Sequence, residues 1–129
     1  MSKDGWRGRV GLLDVEQDIA DGAVVVCVRG EVDSGTVQSL TAALDGAFTA
    51  AVDAPSRVLI VDLGGVTYFG SAGLNAVVGC FERGVADGVE VRVVADNAEV
   101  LRPIEVTKLD SVLRPFKSIV DALAPRDAR

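Results

Sequence analysis

The sequence contains no histidine. That absence removes Ser-His-Asp and Cys-His catalysis, imidazole metal sites and histidine phosphotransfer. Cysteine is scarce too. Cys27 and Cys80 stand far apart, form no CxxC and have no metal-ligand spacing. They read as small buried apolar residues, and a reducing cytosol argues against a permanent bridge between them. No apolar run approaches the ~18 residues that span a bilayer. The opening MSKDGWRGRV has charges with no apolar stretch behind them, unlike a secretory signal. The expectation is a soluble cytoplasmic protein without a bound metal or cofactor.

Basic charge is also in short supply. The net charge is −6, but residues 1–9 carry +2 and residues 125–129 carry +1, so residues 10–124 carry −9. An acidic body disfavours nucleic acid, which needs a basic face. It is compatible with a basic protein partner or with a merely solvated acidic surface. What is present is apolar material: 49% of 129 residues, enough for one domain with a real core.

The chain alternates strand-like and helix-like segments. Residues 10–17 and 23–30 read as strands, joined at Asp21-Gly22 by a hairpin turn. Asp33 or Ser34 is placed to cap a first helix, whose apolar stripe is Val37, Leu40, Leu44, Ala47, Phe48 and Ala51. Ala54-Pro55-Ser56 breaks it, and residues 57–63 form an almost wholly apolar central strand. A second helix carries Leu74, Val77, Val78, Phe81 and Val85 on one stripe and ends at Asp87-Gly88. Residues 89–97 read as a fourth strand. Val100, Leu101, Ile104 and Leu109 mark a third helix, which either starts near residue 102 or kinks at Pro103. Residues 111–118 suit a fifth, edge strand containing Pro115. Ser118 caps a last helix bearing Ile119, Val120 and Leu123. The order predicts a single α/β domain: a mixed, mostly parallel sheet of about five strands with about four helices. Residues 1–9 and 125–129 read as a flexible leading segment and a tail.

The chemistry concentrates in VDLGGVTYFGSAGLNAVVG, residues 61–79. A nucleophile elbow, G-x-S-x-G, is not met at Ser71, because Phe69 replaces the first glycine; no histidine base exists either. A phosphate loop is equally ill served, with no G-K-[ST] and no basic group in the stretch. Two readings stay open: Ser71 or Gly70 as a cap of the second helix, and Ser71 as a phosphate acceptor at a helix start, where added negative charge is tolerated. Functional groups of such sheets gather at the carboxyl ends of strands, and Asp33 and Ser71 both follow strands.

Three blocks in order carry a family resemblance. RGEVDSGTVQSLTAAL resembles a G-E-[LV]-D turn leading into a first helix. VLIVDLGGVTYFGSAGLNAVVG is similar to a D-L-x-x-[VL]-x-[FY]-[FIM]-D-S-[SA]-G-L segment, and VEVRVVADNAEVLRPIEVTKLDSVLRPF to the strand, helix and short final strand that follow it. Over residues 10–124 the chain resembles STAS domains of the anti-sigma factor antagonist type. The resemblance implies a non-enzymatic regulator, monomeric by default. It would bind an anti-sigma factor, usually a serine kinase, and so free a sigma factor for transcription. Ser71 would be the serine the kinase phosphorylates and a phosphatase restores. Asp33, Ser34, Gly70, Ser71, Ala72, Gly73, Leu74 and Asn75 would form the partner-binding face. One departure stands out: Gly70 occupies the place of the aspartate before the serine, removing a carboxylate from the contact loop. The alternative is a STAS scaffold of a stress-sensing assembly or an accessory subunit of an ABC transport complex. A redox input through Cys27 and Cys80 is a further expectation.

Overall fold

The computed structural model describes residues 13–124. The expected leading segment, the tail and the first residues of the expected first strand lie outside the described residues. The strands are β1 (Leu13–Ala20), β2 (Ala23–Val32), β3 (Val58–Phe69) and β4 (Glu90–Val94). The helices are α1 (Val37–Asp53), α2 (Ser71–Asp87), α3 (Ala98–Val106), α4 (Asp110–Leu113) and α5 (Ile119–Leu123). The sheet order is β1-β2-β3-β4; β1 pairs antiparallel with β2, and the remaining pairs are parallel.

The hairpin forms where the sequence placed it. Ala20 pairs with Ala23, and Asp21 and Gly22 both take positive φ, 52° and 80°. Two consecutive left-handed residues match the twist of the flanking strands, which is why Asp-Gly serves here. Alternation along β2 then divides the interior. Val24, Val26, Val28 and Val32 face a large core built with α1, α2, α3 and Leu113 of α4; Ala23 and Val25 face a smaller one closed by α5. Both crossover helices, α1 and α2, therefore lie on one face of the sheet.

The expected fifth strand over 111–118 does not form. Residues 110–113 make a helical turn that buries Leu113, and Arg114 reverses the chain at φ 45°. Pro115 has no N–H to give, and only Phe116 pairs with Val94, through bonds of 2.8 Å to Val93 and Ala95. The short turn also brings the helices among the described residues to five. α3 starts at Ala98 rather than near residue 102, with Pro103 inside it. The missing donor costs the Glu99 carbonyl its partner one turn back. The α2 stripe is rotated as well. Gly73, Leu74, Val77, Cys80 and Gly84 are buried, whereas Val85 is 75% exposed. Glycine decides this: a Cβ on Gly84 would stand 2.4 Å from the Val89 carbonyl oxygen, so the helix packs closest where side chains are absent.

Arg57 ties the two crossover helices together. Its guanidinium donates to Val52 O near the end of α1, and to Asp87 O and Gly88 O at the end of α2, at 2.7–3.0 Å. Helix ends present carbonyls without intrahelical donors, so one arginine satisfies both ends.

Candidate functional site

The carboxyl ends of β2 and β3 meet at one edge. Val32 pairs with Phe69, and Gly70 N–H donates to Val32 O at 2.9 Å. β3 runs six residues past the expected end at residue 63, through Gly64 and Gly65 to Phe69. Beyond the last β4 pair, Asp62 with Val94, the strand still pairs with β2. On its other flank the Asn97 amide donates to Leu63 O at 3.1 Å and Val66 O at 2.7 Å. Asn97 thus replaces the departed β4 as hydrogen-bond donor and steadies the stretch leading to Ser71.

After β2 the chain turns tightly. Asp33 Oδ1 accepts from Gly35 N at 2.8 Å and Thr36 N at 3.1 Å, and Thr36 Oγ1 donates to Glu31 O at 2.8 Å. The N-cap of α1 is Thr36, so neither Asp33 nor Ser34 caps it as expected. Asp33 instead folds the turn one step earlier, an Asx turn whose donors, the Gly35 and Thr36 amides, precede the helix. Its carboxylate is half-buried and fixed, while Ser34 is exposed.

α2 begins directly opposite. Gly70 is its N-cap, and Ser71 is the first helical residue, with no side-chain cap bond. Of the two cap candidates Gly70 takes the position and Ser71 does not: inside the first turn, its hydroxyl lies past the position from which it would reach the N2 or N3 amide. The hydroxyl is exposed and has no bonded partner among the described residues. Leu74 N donates to Gly70 O at 3.0 Å, which leaves the Ser71, Ala72 and Gly73 amides as the orphan donors of the helix start. No acidic residue stands in that turn. Negative charge added at Ser71 meets the positive end of a 17-residue helix.

The eight expected face residues do gather at this edge but play different parts. Ser34, Ser71 and Asn75 are exposed; Asp33, Gly70 and Ala72 are half-buried; Gly73 and Leu74 are buried. A Cβ on Gly73 would stand 2.4 Å from Val32 Cγ1, so this glycine lets α2 seat against the end of β2. Asn75 opens onto a shallow groove of about 260 Å³ between α1 and α2, floored by Cys80 and closed by Arg83. Arg83 pairs with Asp45 at 3.2 Å and lies 4.2 Å over the Phe48 ring.

The cysteines do not join this site or each other. Cys80 on α2 is 8% exposed, a small buried residue as expected, and burial pushes its thiol from 9.0 up to about 11. Cys27 lies on the opposite sheet face, among the residues of the smaller core. Burial, then the charge of Asp62, raises its pKa; the thiol donates to Asp62 Oδ2 at 3.7 Å. A bridge between the two would have to cross the sheet.

A four-stranded mixed sheet, crossover helices on one face and a serine at the start of the helix after β3 together describe a known domain. Residues 14–122 match the STAS domain family. The chain belongs to the STAS family. Over 103 residues it is 33% identical to the anti-sigma-F factor antagonist RsfB of Mycobacterium tuberculosis, covering 80% of each chain. The crystal structure of an anti-sigma factor antagonist from Mycobacterium paratuberculosis superposes with a TM-score of 0.77 at 30% identity, over 86% of this chain and 91% of that one. SpoIIAA in its unphosphorylated form shares the fold at a TM-score of 0.61 and 17% identity, over 76% and 84%. No helix among the described residues of this STAS protein is long and apolar enough to cross a membrane.

Sequence reasoning missed Asn97, Arg57, Glu31 and Tyr68. Asn97 had a signal, a lone amide between a strand and a helix. Tyr68 had another, the only tyrosine in the chain, two residues ahead of the glycine before Ser71.

Proposed function

We propose that this STAS protein is an anti-sigma factor antagonist, docking through the edge formed by the Asp33–Thr36 turn and the start of α2. A serine kinase, most simply the anti-sigma factor itself, transfers the γ-phosphoryl group of ATP to Ser71 Oγ, and a phosphatase removes it. The observation that carries this reading is the state of Ser71. It is exposed and unbonded, on a helix start held by the Gly70–Val32 hydrogen bond rather than by the serine. Modification therefore changes the surface and leaves the fold alone. A phosphate brings about −1.5 to −2 charge. Burying that dianion in a docked interface near the fixed Asp33 carboxylate costs desolvation and repulsion, and each 1.4 kcal/mol is about tenfold in affinity. The name of the relative RsfB supports the antagonist role. The protein supplies no base to Ser71, so the chemistry belongs to the partner.

The test titrates wild type, Ser71→Ala and Ser71→Glu against the purified anti-sigma factors of the source organism, with ATP present and absent. Ser71→Ala should bind like wild type and take up no phosphate. Ser71→Glu should bind at least about tenfold more weakly with an unchanged melting temperature. If both variants bind like wild type, this edge is not the switch.

A further inference from the structure

β2 and β3 keep register up to the Cys27–Asp62 pair, after which the pairing shifts twice. At the second shift Gly30 pairs with Val66 and Glu31 with Tyr68, so Thr67 has no counterpart in β2. Gly30 sits at φ 106°, where a side chain would be strained. Such a bulge bends a strand end and re-aims its side chains. Here it sets Tyr68 beside Glu31, because paired residues point to the same face of a sheet.

Tyr68 is 54% exposed, an unusual place for the only tyrosine of a chain poor in aromatics. Its ring lies across Gly70. A Cβ there would stand 3.2 Å from Tyr68 Cε2 and 3.4 Å from its hydroxyl oxygen. The phenol thus stands against the residue immediately before Ser71. Neither the phenol hydroxyl nor the Glu31 carboxylate has a partner among the described residues. Their ion pairs join Arg29 to Glu16, Arg83 to Asp45 and Asp87, and Arg92 to Glu90. On its far side Tyr68 borders an open groove with Glu99, Arg102, Pro103 and Val106 of α3.

We infer that Tyr68 and Glu31 form a seat for an arginine of the protein that docks on the Ser71 edge. An aromatic face attracts a cation, and an unpaired carboxylate beside it takes up guanidinium N–H groups. A planar guanidinium satisfies both partners at once, whereas a compact, strongly hydrated ammonium suits only the carboxylate. The sign of the surroundings agrees: residues 10–124 carry −9, and Asp33 follows two residues after Glu31. An exposed tyrosine also has little rotamer freedom to lose on docking, which is why such residues anchor interfaces. The seat rests on the antagonist reading and names the partner group that reads this edge.

The test uses the anti-sigma factor that binds the wild-type protein in the titrations above. Glu31→Gln and Tyr68→Leu should each weaken binding about tenfold, and Tyr68→Phe by less because the ring persists. Melting temperatures should hold, since both side chains reach solvent. An arginine-to-alanine scan of the partner should reveal one position whose loss matters much less once Glu31 is Gln. If Glu31→Gln and Tyr68→Leu bind normally while Ser71→Glu stays weak, the seat is wrong and the Ser71 reading stands. Weakening without a coupled arginine, or coupling to a lysine, also overturns the seat. If no anti-sigma factor binds, or if Ser71→Glu is also neutral, both readings fall.

Discussion

Gly73→Ala should move the Ser71 edge more than it harms the fold. The added methyl would lie 2.4 Å from Val32 Cγ1 and 3.0 Å from Phe69 Cε1. Carbon atoms in contact prefer about 3.5–4.0 Å, so α2 must retreat by about 1 Å or its neighbours must rotate. Val32 is fully buried and Phe69 is 4% exposed, leaving little room for rotation. Overpacking of this kind costs about 1–3 kcal/mol. Alanine returns up to about 1 kcal/mol of helix propensity, less in a first turn. The net is a loss of about 0–3 kcal/mol, too broad a range to be decisive by itself, so the informative measurement is a double-mutant cycle in urea. Val32→Ala removes the clashing methyl and should cost about 1–3 kcal/mol alone. With both changes, the new methyl occupies the vacated space, and the combined loss should fall short of the sum by at least about 1 kcal/mol. Additivity within about 0.5 kcal/mol would refute the claim that Gly73 exists to seat α2 against Val32. Partner affinity gives a second readout: Gly73→Ala should bind more weakly, and Val32→Ala should partly restore it.

The remaining predictions concern supports of the same edge and the buried thiol. Arg57→Ala strips a donor from the ends of two helices and should lower stability by about 1–2 kcal/mol, discounted for solvent exposure, in chemical denaturation. Asn97→Ala orphans the Leu63 and Val66 carbonyls; it should cost about 1–3 kcal/mol and speed amide exchange over residues 64–70. Cys80 gives a pH signature. Its folded pKa is about 11 against 9.0 unperturbed, so the native state holds its proton where the unfolded chain releases it. Its contribution is complete below pH 9 and is lost as pH rises toward 11, by on the order of 2 kcal/mol, with a slope that Cys80→Ala should remove. The native thiol should also resist labelling at pH 8 until the chain is unfolded.

Much of the fold is local in origin, and that part could be read early. Asp21-Gly22 turns because two left-handed residues suit a hairpin, and the α1 stripe Leu40, Leu44, Ala47, Phe48 and Ala51 is buried as its spacing predicts. The Ser118 cap forms as expected, its hydroxyl accepting from Asp121 N at 3.1 Å. Other segments answered to partners distant in sequence. Gly64 and Gly65 lie past the expected strand end at residue 63, yet β2 on one side and Asn97 on the other keep them in a strand that runs to Phe69. Val85 completes an apolar stripe, yet Gly73 and Gly84 rotate α2 away from it.

The candidate site divides in the same way. The sequence alone determined that no histidine chemistry is available and that Ser71 stands where a strand ends and a helix starts. It also determined that the body of the domain is acidic. Those are properties of composition and order, which folding cannot alter. Only the tertiary structure decided what each residue does there. It made Asp33 a turn former rather than a cap, left the Ser71 hydroxyl free, and made Gly73 the point where α2 seats against β2. It also set Tyr68 beside Glu31, because a one-residue bulge changes which side chains share a face. Register and close approach between segments some forty residues apart are settled by packing and hydrogen bonding, and no local pattern records them.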